Sequence, residues 1–282
     1  MNMKENNEKH FIMMGYSPSK YEIFESRLKK PISVVRPEDP PVDFALVFQE
    51  ADQIKIHSKK KLEFFIPNNI AILISTSSKA LTEAKDIYKK NLNPDNPQNG
   101  YQENENQVDF MKRKSVHFCD YIEKIQTGIV FSYTAVEAFV NISIPDNYHY
   151  LLKDKKGVIY NKFAIERWVS LRDKLEFILT DIYKTKSIKE DANWNNFLKL
   201  EAIRNNIIHQ KSADNSDFFK EYFKNSIYDI CASTEGIIRF FYDKHNEENR
   251  TNPLWPWLIG KEKDFPIKID SWENWIPVEE NK

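Results

Sequence analysis

The sequence predicts a mainly α-helical fold: a four- to five-helix bundle preceded by a small α+β N-terminal region and followed by a Trp-rich extended tail. Three observations carry this. From Phe118 to Phe241 apolar residues recur every three or four positions, the period of a helix face. Between 44 and 75 they cluster instead in short β-branched and aromatic runs. Between these regions, 91–107 is dominated by Asn, Gln, Pro, Glu and Asp, a composition too polar to bury a core of its own.

These shifts divide the chain into residues 1–110, an α+β region with a polar linker at about 91–110; residues 111–245, the helical bundle; and residues 246–282, a Trp/Pro-rich cover. The opening 42 residues read as an irregular arm, helical at most over 16–28, and stopped by the prolines at 37, 40 and 41. Four β-like runs follow, 44–48, 53–57, 62–66 and 70–75, suited to a small antiparallel sheet. Ser77 or Ser78 then caps a short helix carrying Leu81, Ala84, Ile87 and Tyr88 at helical spacing.

In the bundle, Phe118, Ile122, Ile125, Ile129, Tyr133, Val136 and Val140 form one stripe, predicting a long helix over 114–144 that stops before Pro145. Trp168, Leu171, Leu175, Ile178 and Ile182 mark a second helix. Phe197, Leu200, Ile203 and Ile207 mark a third, and Phe219, Phe223, Ile227, Ile230, Ile237 and Phe241 a fourth. Modest connections between amphipathic helices favour a bundle. The tail concentrates Trp255, Trp257, Trp272 and Trp275 among prolines and charges, the pattern of an extended strap laid over a groove of its own protein.

Composition narrows the classes. There are 41 basic and 42 acidic residues, a net charge of -1, which argues against attraction to nucleic acid over the whole surface while leaving room for a local basic groove. Two cysteines, Cys119 and Cys231, lie in helical patterns, so buried free thiols and a reducing cytoplasm are expected rather than a disulfide framework. No apolar run reaches the ~18 residues of a membrane span, and MNMKENNEKH lacks the apolar core of a signal peptide. The histidines at 10, 57, 117, 149 and 245 show no zinc-site spacing, and no phosphate-binding glycine loop is present. Neither cofactor nor metal is expected.

The chemistry concentrates in Glu201-Ala202-Ile203-Arg204-Asn205-Asn206-Ile207-Ile208-His209. Arginine offers a fixed cationic fork for phosphate, and histidine as a class exchanges protons near neutrality. Together they meet the needs of RNA cleavage by its own 2′-hydroxyl: proton transfers at the attacking and leaving oxygens, and charge stabilisation of the phosphorane. Five residues on an ideal helix amount to about 7.5 Å of rise and roughly 140° of rotation, so Arg204 and His209 do not project in parallel. A two-fold dimer with the motif helices near its axis would gather both copies around one cleft. Asn205 is placed to orient His209 or bind phosphate, and Glu137 to order Arg204 or modulate His209. A purely structural reading pairs Glu201 with Arg204 at i,i+3.

The motif, an arginine and a polar residue followed by a histidine after a short fixed gap, resembles the signature of HEPN domains. Thr134-Ala135-Val136-Glu137-Ala138-Phe139-Val140-Asn141 also looks like the first helix of several HEPN families, so the resemblance covers roughly 114–245. It implies metal-independent endoribonuclease activity, a composite active site in a homodimer, and use as a toxin or antiphage effector with an antitoxin or regulatory partner. On this view Arg204, His209 and Asn205 are catalytic, with Glu137 and Lys211 in support. Some HEPN toxins carry a modifiable tyrosine two residues after the histidine; here that position is Lys211. The alternatives are a non-catalytic HEPN-like module binding nucleotide, RNA or protein, and a dimerisation platform.

Overall fold

The computed structural model describes residues 10–16, 21–37, 45–57, 60–152, 157–209, 217–247 and 267–275. Strands and α-helices are numbered in chain order. The chain divides into two compact units, one formed by Met1–Ala71 with His245–Lys282, the other by Ile72–Lys244. The polar stretch at 91–110, where the sequence reading drew its boundary, lies within the second unit.

The first unit is a five-stranded sheet. Its spine is β3 (Leu46–His57), which pairs antiparallel with β1 (His10–Tyr16), β2 (Ile32–Val35) and β4 (Lys60–Phe65). Alternation along β3 fills both faces: Leu46 and Phe48 pack with Val34, Phe11, Trp272 and Trp275, while Val47 packs with Met14, Tyr21 and Ile23. Residues 46–48 of the expected run 44–48 and the whole run 53–57 therefore belong to one strand, because Glu50 and Ala51 between them are paired by Phe11 and His10 of β1. Of the region 16–28, the described residues are not helical: Tyr16 ends β1, and in 21–28 Arg27 is clasped locally by Glu25 at 2.6 Å.

The expected strand at 70–75 is instead the first part of helix α1 (Asn69–Ile87). Asn68 Oδ1 accepts the N–H groups of Ile70 (3.0 Å) and Ala71 (3.2 Å), the bonds of an N-cap, and these satisfy donors that a strand would have offered to a neighbour. In the tail, Ile267–Ile269 forms β7, parallel to β2. Trp272 Nε1 donates to the Val34 carbonyl at 3.1 Å, and the Trp275 ring lies 4.8 Å from Phe11 and 5.6 Å from Phe48. Ile267–Ile269 of the tail is thus a strand of this sheet, followed by a 3-10 turn, Trp272–Asn274; Trp255 and Trp257 lie outside the described residues.

The second unit is organised by α2 (Gln107–Ser143), capped by Asn106 through the Asp109 N–H at 3.0 Å and ended at Ile144, before Pro145. Ile125, Ile129, Val136, Phe139 and Val140 on its inner face are fully buried. A short hairpin, β5 (His149–Leu151) with β6 (Ile159–Asn161), precedes α3 (Lys162–Trp168). A continuous helical rod follows, made of α4 (Leu171–Asp173), a π-helical stretch Lys174–Leu179 and α5 (Thr180–Tyr183). Next come α6 (Trp194–Ile208), the single turn α7 (Asp217–Lys220) and α8 (Ser226–Glu247).

The four- to five-helix bundle is therefore corrected. With the α4-π-α5 rod taken as one, there are seven helices among the described residues. Apolar spacing passes unbroken across two real breaks. Val169 turns extended and ends one helix, Ser170 caps the next by accepting the Asp173 N–H at 3.1 Å, and Lys224 turns extended (ψ 132) after a 3-10 turn, Glu221–Phe223. The polar linker is also more ordered than its composition suggested. Arg113 binds Glu105 at 2.7 Å and the Gly100 carbonyl at 2.9 Å, and Lys114 reaches the Asn91 carbonyl. Hydrogen bonds to α2 do here what apolar burial does elsewhere.

Candidate functional site

Helix α6 carries the motif. Trp194, Phe197 and Leu200 bury one face of it, which leaves Glu201 and Arg204 at the margin of the core and Asn205 and His209 exposed. His209 is the C-cap: its N–H bonds the Asn205 carbonyl at 2.9 Å while its backbone leaves the helix. The Arg204 guanidinium lies over the ring of Tyr133 on α2, 4.9 Å from the centroid. Tyr133 is 6% exposed and stacks almost parallel on Phe197, 6.1 Å away at 4°. The packing of α2 against α6 thus converts a flexible arginine into a cation of fixed position.

Behind this lies a network of charges on four helical segments, the rod counting as one. Arg172 binds Glu201 at 2.5 Å, and the Tyr133 hydroxyl donates to the same carboxylate at 3.5 Å. Burial first, then Glu201 and Glu137, push the Tyr133 hydroxyl above the usual tyrosine range, with Arg204 opposing. Lys174, at the start of the π-helical stretch, is 2% exposed. Its Nζ donates to Asn141 Oδ1 and to the Glu166 carbonyl, both at 3.0 Å. Desolvation lowers its pKa, while Glu137 and Glu166 pull it back up. π-Helical turns recur at functional sites, and a lysine survives burial only with such partners.

The sequence-derived residues are placed as follows. Arg204 and Asn205 are joined, Arg204 Nη1 donating to Asn205 Oδ1 at 3.1 Å. Glu137, half-buried on α2, acts on Tyr133 and Lys174. Among the described residues no hydrogen bond connects Arg204 with His209, which stand five apart on one helix. Glu201 does not pair with Arg204; Arg172 takes it. The buried Nε of Arg204 has no hydrogen-bond partner among the described residues. Lys211 lies outside them.

Sequence reasoning missed Tyr133, Arg172 and Lys174. Lys174 carried a signal, a charge beside the apolar stripe of Leu171, Leu175 and Ile178. Tyr133 carried none, because its role depends on a helix far along the chain. A separate cleft of about 200 Å³ lies between α1, α2 and α8, lined in part by Ser77, Ser132, Tyr228, Cys231 and Thr234. Its hydroxyls are largely spent on the protein itself: Ser77 Oγ donates to the Gly128 carbonyl at 2.9 Å and lies 2.7 Å from Ser132 Oγ. Burial pushes the Cys231 thiol up to about 12, whereas Cys119 is exposed.

Among the described residues no group of three His, Cys, Asp or Glu could hold a metal ion, and no helix is long and apolar enough to cross a membrane. No protein-family model, curated protein or solved structure matches the chain.

Proposed function

We propose that the chain is an endoribonuclease that cleaves RNA by attack of the substrate's own 2′-hydroxyl, acting as a homodimer. The observation that carries the reading is the placement of the motif: Arg204 lies 4.9 Å over the ring of a buried tyrosine and donates to Asn205, with His209 exposed at the end of the same helix. His209 accepts the 2′-hydroxyl proton as the oxygen attacks phosphorus. A second imidazole, from the other copy, delivers a proton to the departing 5′-oxygen. The products are a 2′,3′-cyclic phosphate and a 5′-hydroxyl, and Arg204 stabilises the charge on the phosphorane. Arginine and histidine suffice for these steps, so a metal ion has no required part in them. Asn205 holds the guanidinium by its side chain and the His209 N–H by its carbonyl. A toxin or antiphage role, with an antitoxin or regulatory partner, is the biological setting this activity suits.

The test is cleavage of single-stranded RNA in EDTA by the full chain. Wild-type protein yields cyclic-phosphate ends, and Arg204→Ala and His209→Ala fall by at least about 100-fold, the scale of one lost general acid-base or oxyanion group, with unchanged circular dichroism. Cleavage that survives both substitutions ends the proposal. One observation favours a second reading, a non-catalytic module that binds RNA, nucleotide or protein: the buried Nε of Arg204 is what a packing arginine would also present. RNA binding without turnover, insensitive to His209→Ala, selects that reading.

A further inference from the structure

Helix α3 and the hairpin before it expose more large apolar surface than a self-contained fold requires. Trp168 is 65% exposed, Phe163 68%, and Leu151 and Ile159 60% and 61%. Leu151 and Ile159 are direct partners across β5 and β6, so they project on one face. Scattered exposed apolar residues are ordinary, but a run of them on one short stretch of chain, two of them side by side, marks a binding surface. The anchoring residue of α3 is Ile165, fully buried, so the exposed aromatics are not needed to hold the helix down.

A cation sits in the same place. The Arg167 guanidinium lies 4.9 Å from the centre of the Trp168 ring and makes no ion pair among the described residues. With Trp168 still 65% exposed, the indole retains open surface for a second planar group. An aromatic with free surface and a guanidinium without a carboxylate partner among the described residues match the chemistry that holds an unpaired nucleobase and the phosphate beside it.

The platform also adjoins the motif. The Glu166 carbonyl of α3 accepts from Lys174. Four residues beyond Trp168, within a chain reach of ~14 Å, Arg172 binds Glu201, which lies one helical turn before Arg204.

We propose that Trp168 and Arg167 form a stacking subsite for an unpaired base of single-stranded RNA, next to the scissile phosphate. This rests on the ribonuclease reading for its location, and its own readout is binding. A fluorescein-labelled 2′-O-methyl oligopyrimidine lacks the attacking hydroxyl and cannot be cut. Its affinity for the full chain is measured by anisotropy alongside cleavage of the matching RNA.

Trp168→Ala weakens binding by roughly 5- to 150-fold, the loss of one stacked base, while Trp168→Phe keeps most of the affinity. Arg167→Ala weakens binding less and makes it less sensitive to salt. Binding that depends on Trp168 without any cleavage leaves the subsite standing and defeats the catalytic assignment. Cleavage and binding unaffected by Trp168→Ala overturn the subsite and spare the ribonuclease. The subsite is equally overturned if wild-type protein binds no oligonucleotide, or if Trp168→Ala abolishes self-association while RNA binding is unchanged.

Discussion

Tyr133 makes the sharpest test of how the candidate site is supported. Its ring is 6% exposed, lies parallel to Phe197 and carries the Arg204 guanidinium at 4.9 Å. Truncation to alanine deletes a buried aromatic, a loss of about 3–5 kcal/mol. Within that, the aromatic stack contributes about 0.5–1.5 kcal/mol and the guanidinium about 1 kcal/mol at a half-buried position. Tyr133→Phe keeps the ring and loses only a hydroxyl bond that is 3.5 Å long, at the outer limit of such bonds, so it costs under about 1 kcal/mol. Urea unfolding followed by far-UV circular dichroism separates the two. A double-mutant cycle of Tyr133→Leu with Arg204→Met then isolates the cation and ring, with an expected coupling of about 0.5–2 kcal/mol. If Tyr133→Phe proves as costly as Tyr133→Ala, or the coupling is zero, the ring is not the platform on which Arg204 rests.

Two further predictions concern the helical unit. A Cβ at Gly128 would fall 2.6 Å from Leu81 Cδ2 and 2.7 Å from Cγ, so Gly128→Ala destabilises by about 1–3 kcal/mol through overpacking, against the ~1 kcal/mol gain of alanine in an open helix. A thermal melt that rises on this substitution contradicts the close approach, whereas rescue by Leu81→Ala supports it. Glu105 is held down to about 2 by its hydrogen bond from Arg113 and then by the Gln102 N–H. Its carboxylate therefore stabilises the fold fully above the unfolded value of about 4.3, and that contribution disappears as pH falls through 2. The stability difference between wild type and Glu105→Gln should be level above pH ~5 and close to nothing near pH 2; a difference independent of pH in acid denaturation would refute the assignment.

Much of the helical half could be read from the chain because its signals are local. The stripe from Phe118 to Val140 predicted the long helix, and Pro145 its end. Ile70-Ala71-Ile72-Leu73-Ile74 misled because a continuous apolar run suits a buried strand or a buried helix equally well; the deciding group was the Asn68 side chain just ahead of it. Strands of three residues, such as β5 and β7, are too short for any period to register. The motif residues were legible as types. Their setting was not, because Tyr133 and Glu201 meet across 68 positions of sequence, and Arg172 claims Glu201 only after α4 and α6 have packed.

The parallel pairing of β2 with β7 carries a consequence for biosynthesis. Trp272 closes onto Val34 across 238 residues, so on the ribosome the open side of β2 waits while every helix between them is made. The fully buried Val34 would meanwhile present an unpaired β edge of the kind that recruits other chains. Molecules interrupted during synthesis, before residue 267, should therefore depend on chaperones far more than finished ones.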